Sequence, residues 1–234
     1  MLLLAFDTAT PAVTVALHDG ERVLAEAVAV DARRHGELLA PSIAKVIADA
    51  GAEPGDLTAI ATGVGPGPYT GLRVGVVTAR VFGQTLGVPV YGIGTLDVIA
   101  RAAAPAAAGR EFLAATDARR KEVYWARYSA AGERLAGPEV NRPDEVPDGP
   151  SMPVAGPAAA LYPGAFGEPI WREYPSAVVL AELVAGRLAA LTAGGADALT
   201  AGGADAVELL PPEPLYLRRP DARVPGPPKR VTSP

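Results

Sequence analysis

The residue best suited to chemistry near the start of the chain is Asp7, in the sequence FDTAT. It follows a continuous apolar run over residues 2–6, which is typical of a buried strand, and it opens a turn of small polar residues. A carboxylate at such a place can orient the metal-bound phosphates of a nucleotide, while backbone amides of the turn bind phosphate oxygens. The alternative is purely structural, because Asp-Thr after a strand is also an ordinary way to begin a turn.

A glycine- and proline-rich segment, GVGPGPYTGLRVG from Gly63 to Gly75, is the second candidate. Glycines let the backbone approach a phosphate, and the free amides at a helix start attract anions. The segment is not a Walker loop, because no Gly-Lys-Ser/Thr follows, and the Rossmann spacing is absent. We assign Asp7, Thr8, Gly65 and Gly67 to a vestigial nucleotide cleft.

Small residues recur every four positions along the helix predicted after this segment, at Gly71, Gly75, Ala79 and Gly83. Because large apolar residues surround this stripe, the helix must pack on two sides. One interpretation buries it wholly within its own lobe. The favoured one places a face against another subunit, since a lobe of two layers cannot easily cover both sides. The predicted interface residues are Leu39, Ile43, Gly71, Leu72, Gly75, Val76, Ala79, Phe82 and Gly83.

Metal-binding residues are scarce, since the chain has two histidines and no cysteine. His18 falls in a predicted hairpin turn and His35 at a helix start, where a solvent-facing or capping histidine is the default. No His-x-x-x-His or Glu-x-x-His spacing occurs, so we predict no metal site. The lack of cysteine excludes a disulfide framework and fits a reducing cytoplasm, where we expect the protein to be located.

Composition narrows the class of protein further. Apolar residues make up 49% of the chain, which is enough for a hydrophobic core. With 21 basic and 26 acidic side chains, the net charge of −5 disfavours tight binding of nucleic acid by this chain alone. No apolar run approaches the roughly 18 residues that span a bilayer, so no membrane contact is expected.

The elements that must position these residues are predicted as three strands followed by alternating helices and strands. Periodicity places strands at residues 2–6, 12–17, 22–30, 57–61 and 88–93, and helices at 35–50 and 70–86. This βββαβα order is the repeated unit of ribonuclease-H-like and actin-like folds. The fold class is therefore α/β, with residues 1–99 forming an N-terminal lobe that carries the partner-binding helices.

A smaller second lobe is predicted over residues 100–212. It follows an alanine-rich helix near 96–108 and includes strands at 112–116 and 122–128 and a helix at 176–191. Prolines recurring between 132 and 175 allow only short strands and turns there. The sequence LTAGGADA occurs twice in tandem between residues 191 and 206, which we interpret as an insertion by slippage. Residues 213–234 are predicted to anchor through 215–217 and to end in a flexible basic tail.

Several of these blocks together resemble one bacterial family. They are DTATPAVTVAL, the His35–Pro41 helix opening, GPGPYTGLRVG, VPVYGIGTLDVIA, DARRKEVYWARY and PLYLR. The chain is similar in them to the TsaB (YeaZ) family of tRNA threonylcarbamoyladenosine biosynthesis proteins. The resemblance implies a two-lobed actin-like ATPase (ASKHA) fold that binds its catalytic paralogue TsaD. With the ATPase TsaE, that pair transfers a threonylcarbamoyl group to adenosine 37 of tRNAs that read codons beginning with adenine.

The resemblance also implies a role for this chain within that complex. In the TsaD paralogue, a pair of histidines on the segment after the equivalent strand holds the metal, whereas here Gly92–Ala100 contains no histidine. The chain is therefore expected to be a non-catalytic scaffold that reaches tRNA only through the complex and forms a homodimer when alone. No cofactor is expected in the isolated chain. ATP or ADP is expected only in the complex. The alternative is a stand-alone metalloendopeptidase or ATP phosphotransferase.

Overall fold

A five-stranded mixed sheet forms the first lobe, and its central strand ends at Asp7. The computed structural model describes residues 1–194 and 207–218. The strands are β1 (Leu3–Asp7), β2 (Ala12–His18), β3 (Val23–Val30), β4 (Ala59–Gly63) and β5 (Val90–Ile93), in the order β3-β2-β1-β4-β5. The first three pair antiparallel, while β4 is parallel to β1 and β5 to β4. The predicted element order of this lobe is confirmed.

Helices cover both faces of this sheet. The α-helices in the described part of the chain are α1 (His35–Asp49), α2 (Tyr69–Leu86), α3 (Thr95–Ala103), α4 (Ala158–Leu161) and α5 (Ala177–Gly194). Leu4 and Phe6 of β1 pack in the core under α1 and α2, whereas Leu3 and Ala5 face the other way and pack against α5. Because successive side chains of a strand alternate between faces, burial of both faces requires the uninterrupted apolar run of β1.

The position of α5 corrects the predicted lobe boundary. We expected this helix to belong to the second lobe, within residues 100–212. It packs instead on β1 and β2, and it buries Leu180, Ala181 and Val184 in the first lobe. The physical reason is that the side chains of β1 and β4 on that face would otherwise remain exposed. Periodicity shows that a helix has an apolar face, but it does not show which sheet that face covers.

The second sheet repeats the architecture of the first. Its strands are β6 (Phe112–Arg119), β7 (Glu122–Tyr128), β8 (Arg134–Asn141), β9 (Val154–Ala155) and β10 (Pro169–Trp171), in the order β10-β9-β6-β7-β8. As in the first sheet, the central strand has antiparallel neighbours on one side and parallel neighbours on the other. Two of the strands in the proline-rich stretch are short, as predicted. The longer β8 lies at the sheet edge and carries Pro138 where the pairing with β7 shifts register.

The segment that follows α5 returns across both lobes. Leu210 and Gly92 exchange two backbone hydrogen bonds of 2.8 Å, and the Leu215 N–H donates to the Val64 carbonyl at 2.8 Å. The Arg218 side chain bonds to the Ala118 carbonyl at 3.1 Å and also pairs with Glu122. This agrees with the predicted anchoring of residues 215–217. Most of the LTAGGADA duplication and the basic tail lie outside the described residues.

Within residues 1–194 and 207–218, no helix is both long and apolar enough to cross a membrane.

Candidate functional site

The carboxyl group of Asp7 lies at the carboxyl end of β1 and is fully buried. Its Oδ1 accepts a hydrogen bond from the Ala9 N–H at 2.7 Å, which tightens the turn after the strand. Its Oδ2 accepts a hydrogen bond from the Thr95 hydroxyl at 2.7 Å, at the start of α3. Any side chain at Gly63 would overlap this carboxyl group, since an added Cβ falls on Asp7 Oδ2. Asp7 therefore joins β1, β4 and α3 inside the protein.

Burial raises the pKa of Asp7 from its ordinary value of 3.8 to about 6, even though its hydrogen bonds from Ala9 and Thr95 favour the ionised form. The native state therefore holds this proton more tightly than the unfolded chain does. Between pH 4 and pH 6 the native state binds more protons, so the free energy of unfolding falls as pH rises through this window. The stabilisation is complete below the unfolded pKa and is lost above the folded one.

Asp7→Asn is expected to remove this pH dependence. A difference of about 2 pKa units corresponds to about 3 kcal/mol, so urea unfolding at pH 7.5 should show the variant more stable than the wild type by up to that amount. At pH 4 the two should be similar. Asp144→Asn, which removes an exposed carboxyl group, is the control and should follow the wild-type profile. Parallel profiles for Asp7→Asn and the wild type would show that Asp7 is not the responsible group.

Thr8 and the glycine-rich segment complete a closed network around Asp7. The Thr8 hydroxyl donates to the Gly71 carbonyl at 2.8 Å and accepts from the Gly75 N–H at 3.0 Å. The Gly65 N–H donates to Thr95 Oγ1 at 3.1 Å, and an added Cβ on Gly67 would overlap the carbonyl oxygen of Ala9.

The four residues assigned to a nucleotide cleft are thus brought together, but they are buried and face one another. Nucleotide binding at these residues stays a prediction, and their packing within the chain alone does not favour it.

The small residues of α2 face the core of their own lobe. A Cβ added to Gly71 would lie 2.7 Å from the Thr8 carbonyl oxygen, and one added to Gly75 would lie 2.5 Å from Thr8 Oγ1. A Cβ added to Gly83 would overlap Val90. The stripe therefore lets α2 approach the sheet closely. Of the nine predicted interface residues, Phe82 is half-buried. The other eight are buried in this chain: Leu39, Ile43, Gly71, Leu72, Gly75, Val76, Ala79 and Gly83. These eight residues pack inside their own lobe and present little surface in the isolated chain, so this interface stays a prediction that their burial does not favour.

A second row of residues forms the exposed side of α2. Tyr69, Arg73, Val77 and Val81 recur every four positions, and the two valines are each 53% exposed. Tyr216 stacks on Tyr69 with ring centroids 5.2 Å apart, and the Arg73 guanidinium lies 4.7 Å from the Tyr69 ring centroid. We call these five residues the α2 ridge. Sequence reasoning missed it, although the fourfold spacing of Tyr69, Arg73, Val77 and Val81 is visible beside the small stripe.

Both histidines occupy buried structural positions. We expected His18 to face solvent or to cap a helix, but it is 3% exposed at the end of β2, and its Nδ1 accepts the Gly20 N–H at 2.9 Å. The Nε2 of His35, at the start of α1, hydrogen-bonds the Thr10 carbonyl at 2.7 Å. Both rings satisfy backbone groups of turns, which apolar periodicity does not reveal. Among the residues described by the structure, no group of three or more His, Asp or Glu side chains is arranged to hold a metal ion.

The segment from Gly92 to Ala100, which contains no histidine, fixes α3 to the second sheet. Asp97 accepts a hydrogen bond from the Tyr128 hydroxyl at 2.8 Å and lies 3.6 Å from the Arg134 guanidinium. Burial raises the pKa of Asp97, while Arg134 opposes that shift. Sequence reasoning did not single out Asp97 or Thr95, because each partner lies far away along the chain. Both residues hold elements together in this structure.

Sequence comparison links the chain to tRNA modification proteins. Residues 22–168 match the family described as TsaD, tRNA N6-adenosine threonylcarbamoyltransferase. An uncharacterized protein of Mycobacterium tuberculosis is 43% identical over 94% of this chain and 93% of its own length. The tRNA threonylcarbamoyladenosine biosynthesis protein TsaB of Escherichia coli is 37% identical over 128 residues, which are 55% of each chain.

Structure comparison gives a match over almost the whole fold. The YeaZ protein of Pseudomonas aeruginosa superimposes with a TM-score of 0.71 and 28% sequence identity. The alignment covers 92% of this chain and 99% of that chain. The two-lobed α/β architecture is therefore shared with a solved structure.

Proposed function

The chain belongs to the TsaB (YeaZ) family of tRNA threonylcarbamoyladenosine biosynthesis proteins, and from this premise we propose that it supports threonylcarbamoyl transfer to tRNA as a scaffold subunit. It binds a TsaD-type paralogue, on which the transfer takes place. The observation that carries this proposal is the α2 ridge, an exposed surface of apolar and aromatic side chains on a rigid helix.

The ridge has the properties of a docking surface. The side of α2 opposite the ridge is buried in the core, so the helix cannot turn Val77 and Val81 away from water. Covering the exposed half of each valine contributes roughly 1 kcal/mol, and the stacked pair of Tyr69 and Tyr216 adds a flat aromatic surface at one end. Aromatic residues and arginine are the types enriched where partners bind. A helix of a paralogue with the same fold is the partner that matches this surface.

The same ridge supports a homodimer when no paralogue is present. A twofold axis beside α2 would place the ridge of one copy against the ridge of the other, so that the contact is self-complementary. The two pairings then compete for one surface. A TsaE-type ATPase and tRNA reach this chain through the paralogue, which agrees with a net charge of −5. A cytoplasmic location agrees with this proposal, because the complex acts on tRNA.

The state of Asp7 supports a non-catalytic role. A carboxylate that orients phosphates must present free oxygen atoms to a ligand. Both oxygens of Asp7 instead accept hydrogen bonds from Ala9 and Thr95, and the side chain is fully buried. Its place in the lobe is that of a structural residue.

Reconstitution tests this function. Threonylcarbamoyl transfer to tRNA should require the paralogue, the ATPase and this chain together. Because Asp7 acts structurally, the folded Asp7→Asn variant should support transfer at the wild-type rate. Transfer or ATP hydrolysis by this chain alone, abolished in Asp7→Asn, would contradict the scaffold role and favour the enzyme alternative.

A further inference from the structure

A cavity of about 310 Å³ lies between the two lobes. This volume is at the lower end of the roughly 300–1,000 Å³ of pockets that hold small molecules. The turn between β1 and β2 forms one wall, and the end of β6 forms the opposite wall. The lining residues are Ala9, Thr10, Pro11, Thr116, Asp117, Arg119, Pro157, Ala160, Leu161, Arg172 and Tyr174. The cavity is separate from the α2 ridge, none of whose residues lines it.

Thr116 contributes a buried hydroxyl group without a partner. The residue is 3% exposed on β6, and its Oγ1 makes no hydrogen bond. Such groups are rare, because a buried hydroxyl without a partner costs about 1–3 kcal/mol. Because Thr116 lines the cavity, rotation of its side chain would bring the hydroxyl to the wall, where a ligand oxygen would supply the missing acceptor.

The charges around the cavity leave one positive charge unbalanced. Asp117 is paired with Arg119. The backbone N–H of Arg119 donates to Asp117 Oδ1 at 2.8 Å, and its guanidinium lies 3.4 Å from Asp117 Oδ2. Arg172 makes no hydrogen bond or ion pair with any residue in the described part of the chain. One surplus guanidinium balances a monoanion, and its planar donors match a carboxylate. A polyphosphate would carry several charges that nothing on these walls balances.

The rest of the lining is mostly apolar. Pro11, Pro157 and Ala160 present carbon surface, and the ring of Tyr174 borders the same space. Leu161, which is 54% exposed, lines the cavity as well. A ligand with an apolar body would cover this leucine.

We propose that the cavity binds a small monocarboxylate with an apolar body. Its carboxylate accepts hydrogen bonds from the Thr116 hydroxyl and the Arg172 guanidinium, and its body packs on Leu161 and Pro157. The proposal does not depend on the scaffold function, because it concerns the isolated chain and uses no residue of the α2 ridge.

Calorimetric titration of the full chain with benzoate tests the proposal. Wild-type protein should bind benzoate saturably, and neutral benzamide, which has the same shape, should not bind. Arg172→Gln should weaken binding on the order of tenfold, because it removes a charge-assisted hydrogen bond. Thr116→Val should weaken binding several-fold without lowering the stability of the unliganded protein, since its hydroxyl has no partner there. Arg187→Gln, on α5 and away from the cavity, is the matched control and should bind as the wild type does.

Three results would overturn the proposal. The first is the absence of saturable benzoate binding by the folded wild type. The second is tighter binding of inorganic phosphate or ATP than of benzoate, which would identify a phosphate site. The third is equal weakening by Arg187→Gln and Arg172→Gln, which would mean that benzoate responds only to the total charge of the protein.

Discussion

Replacement of Val77 and Val81 together by aspartate is expected to abolish pairing with a TsaD-type paralogue while the isolated chain stays folded. Each valine is 53% exposed, so water can solvate the new carboxylates in the free chain. In a complex they would be buried against an apolar surface without partners, at a cost of several kcal/mol. The dissociation constant should rise by roughly 100-fold or more. Titration calorimetry against the purified paralogue measures this change directly.

A matched control distinguishes a lost contact from an altered fold. Val28 and Val30 on β3 are 63% and 59% exposed and lie away from α2, so Val28→Asp with Val30→Asp introduces the same two charges elsewhere. This pair should leave the dissociation constant near the wild-type value. Equal weakening by both pairs would point to net charge rather than to the ridge. Intact binding by the folded α2 variant would place the partner on another surface.

Gly63→Ala is expected to destabilise the protein by about 3 kcal/mol or more, the largest stability effect among single methyl additions to this lobe. The new Cβ would occupy the position of the Asp7 carboxyl group. Asp7 could move only by losing its hydrogen bonds from Ala9 and Thr95, in a core where every residue of β1 is buried. Chemical unfolding of Gly63→Ala beside the wild type measures the loss.

A double-mutant cycle identifies the clash as the cause. Asp7→Ala removes the carboxyl atoms that overlap the new methyl group, so Gly63→Ala should cost much less in the Asp7→Ala background. Gly36→Ala is the control, because an added Cβ there meets nothing within 4 Å and α1 gains a better helix former. If Gly63→Ala costs the same with and without the Asp7 carboxyl group, the contact between β4 and β1 is not the reason for the glycine.

The order of strands and helices in the first lobe was predictable because each element has a clear period. The apolar run of β1 and the alternation of β2 and β3 specify strands, and turns with glycine or proline separate them. The placement of α5 was not predictable from its own residues. Its apolar face fits either sheet, and only the uncovered face of β1 and β4 decides between them.

The candidate site shows the same division between local pattern and distant contact. Sequence placed Asp7, Thr8, Gly65 and Gly67 together, and they do lie together in the structure. It did not show that the Thr95 hydroxyl would donate a hydrogen bond to Asp7, since the two residues are 88 positions apart along the chain. On α2 the stripe of small residues was recognised correctly, but its direction was not. Small residues allow close approach by any backbone, and here that backbone belongs to the same lobe.

The central claim is that this chain acts by binding a TsaD-type paralogue through the α2 ridge. The most direct test is the mass in solution of an equimolar mixture of the two proteins, measured by light scattering during size-exclusion chromatography. We predict a single species with the summed mass of one copy of each, and two separate species when the chain carries Val77→Asp and Val81→Asp. Separate species with the wild-type chain, or an intact complex with the folded variant, would contradict the account.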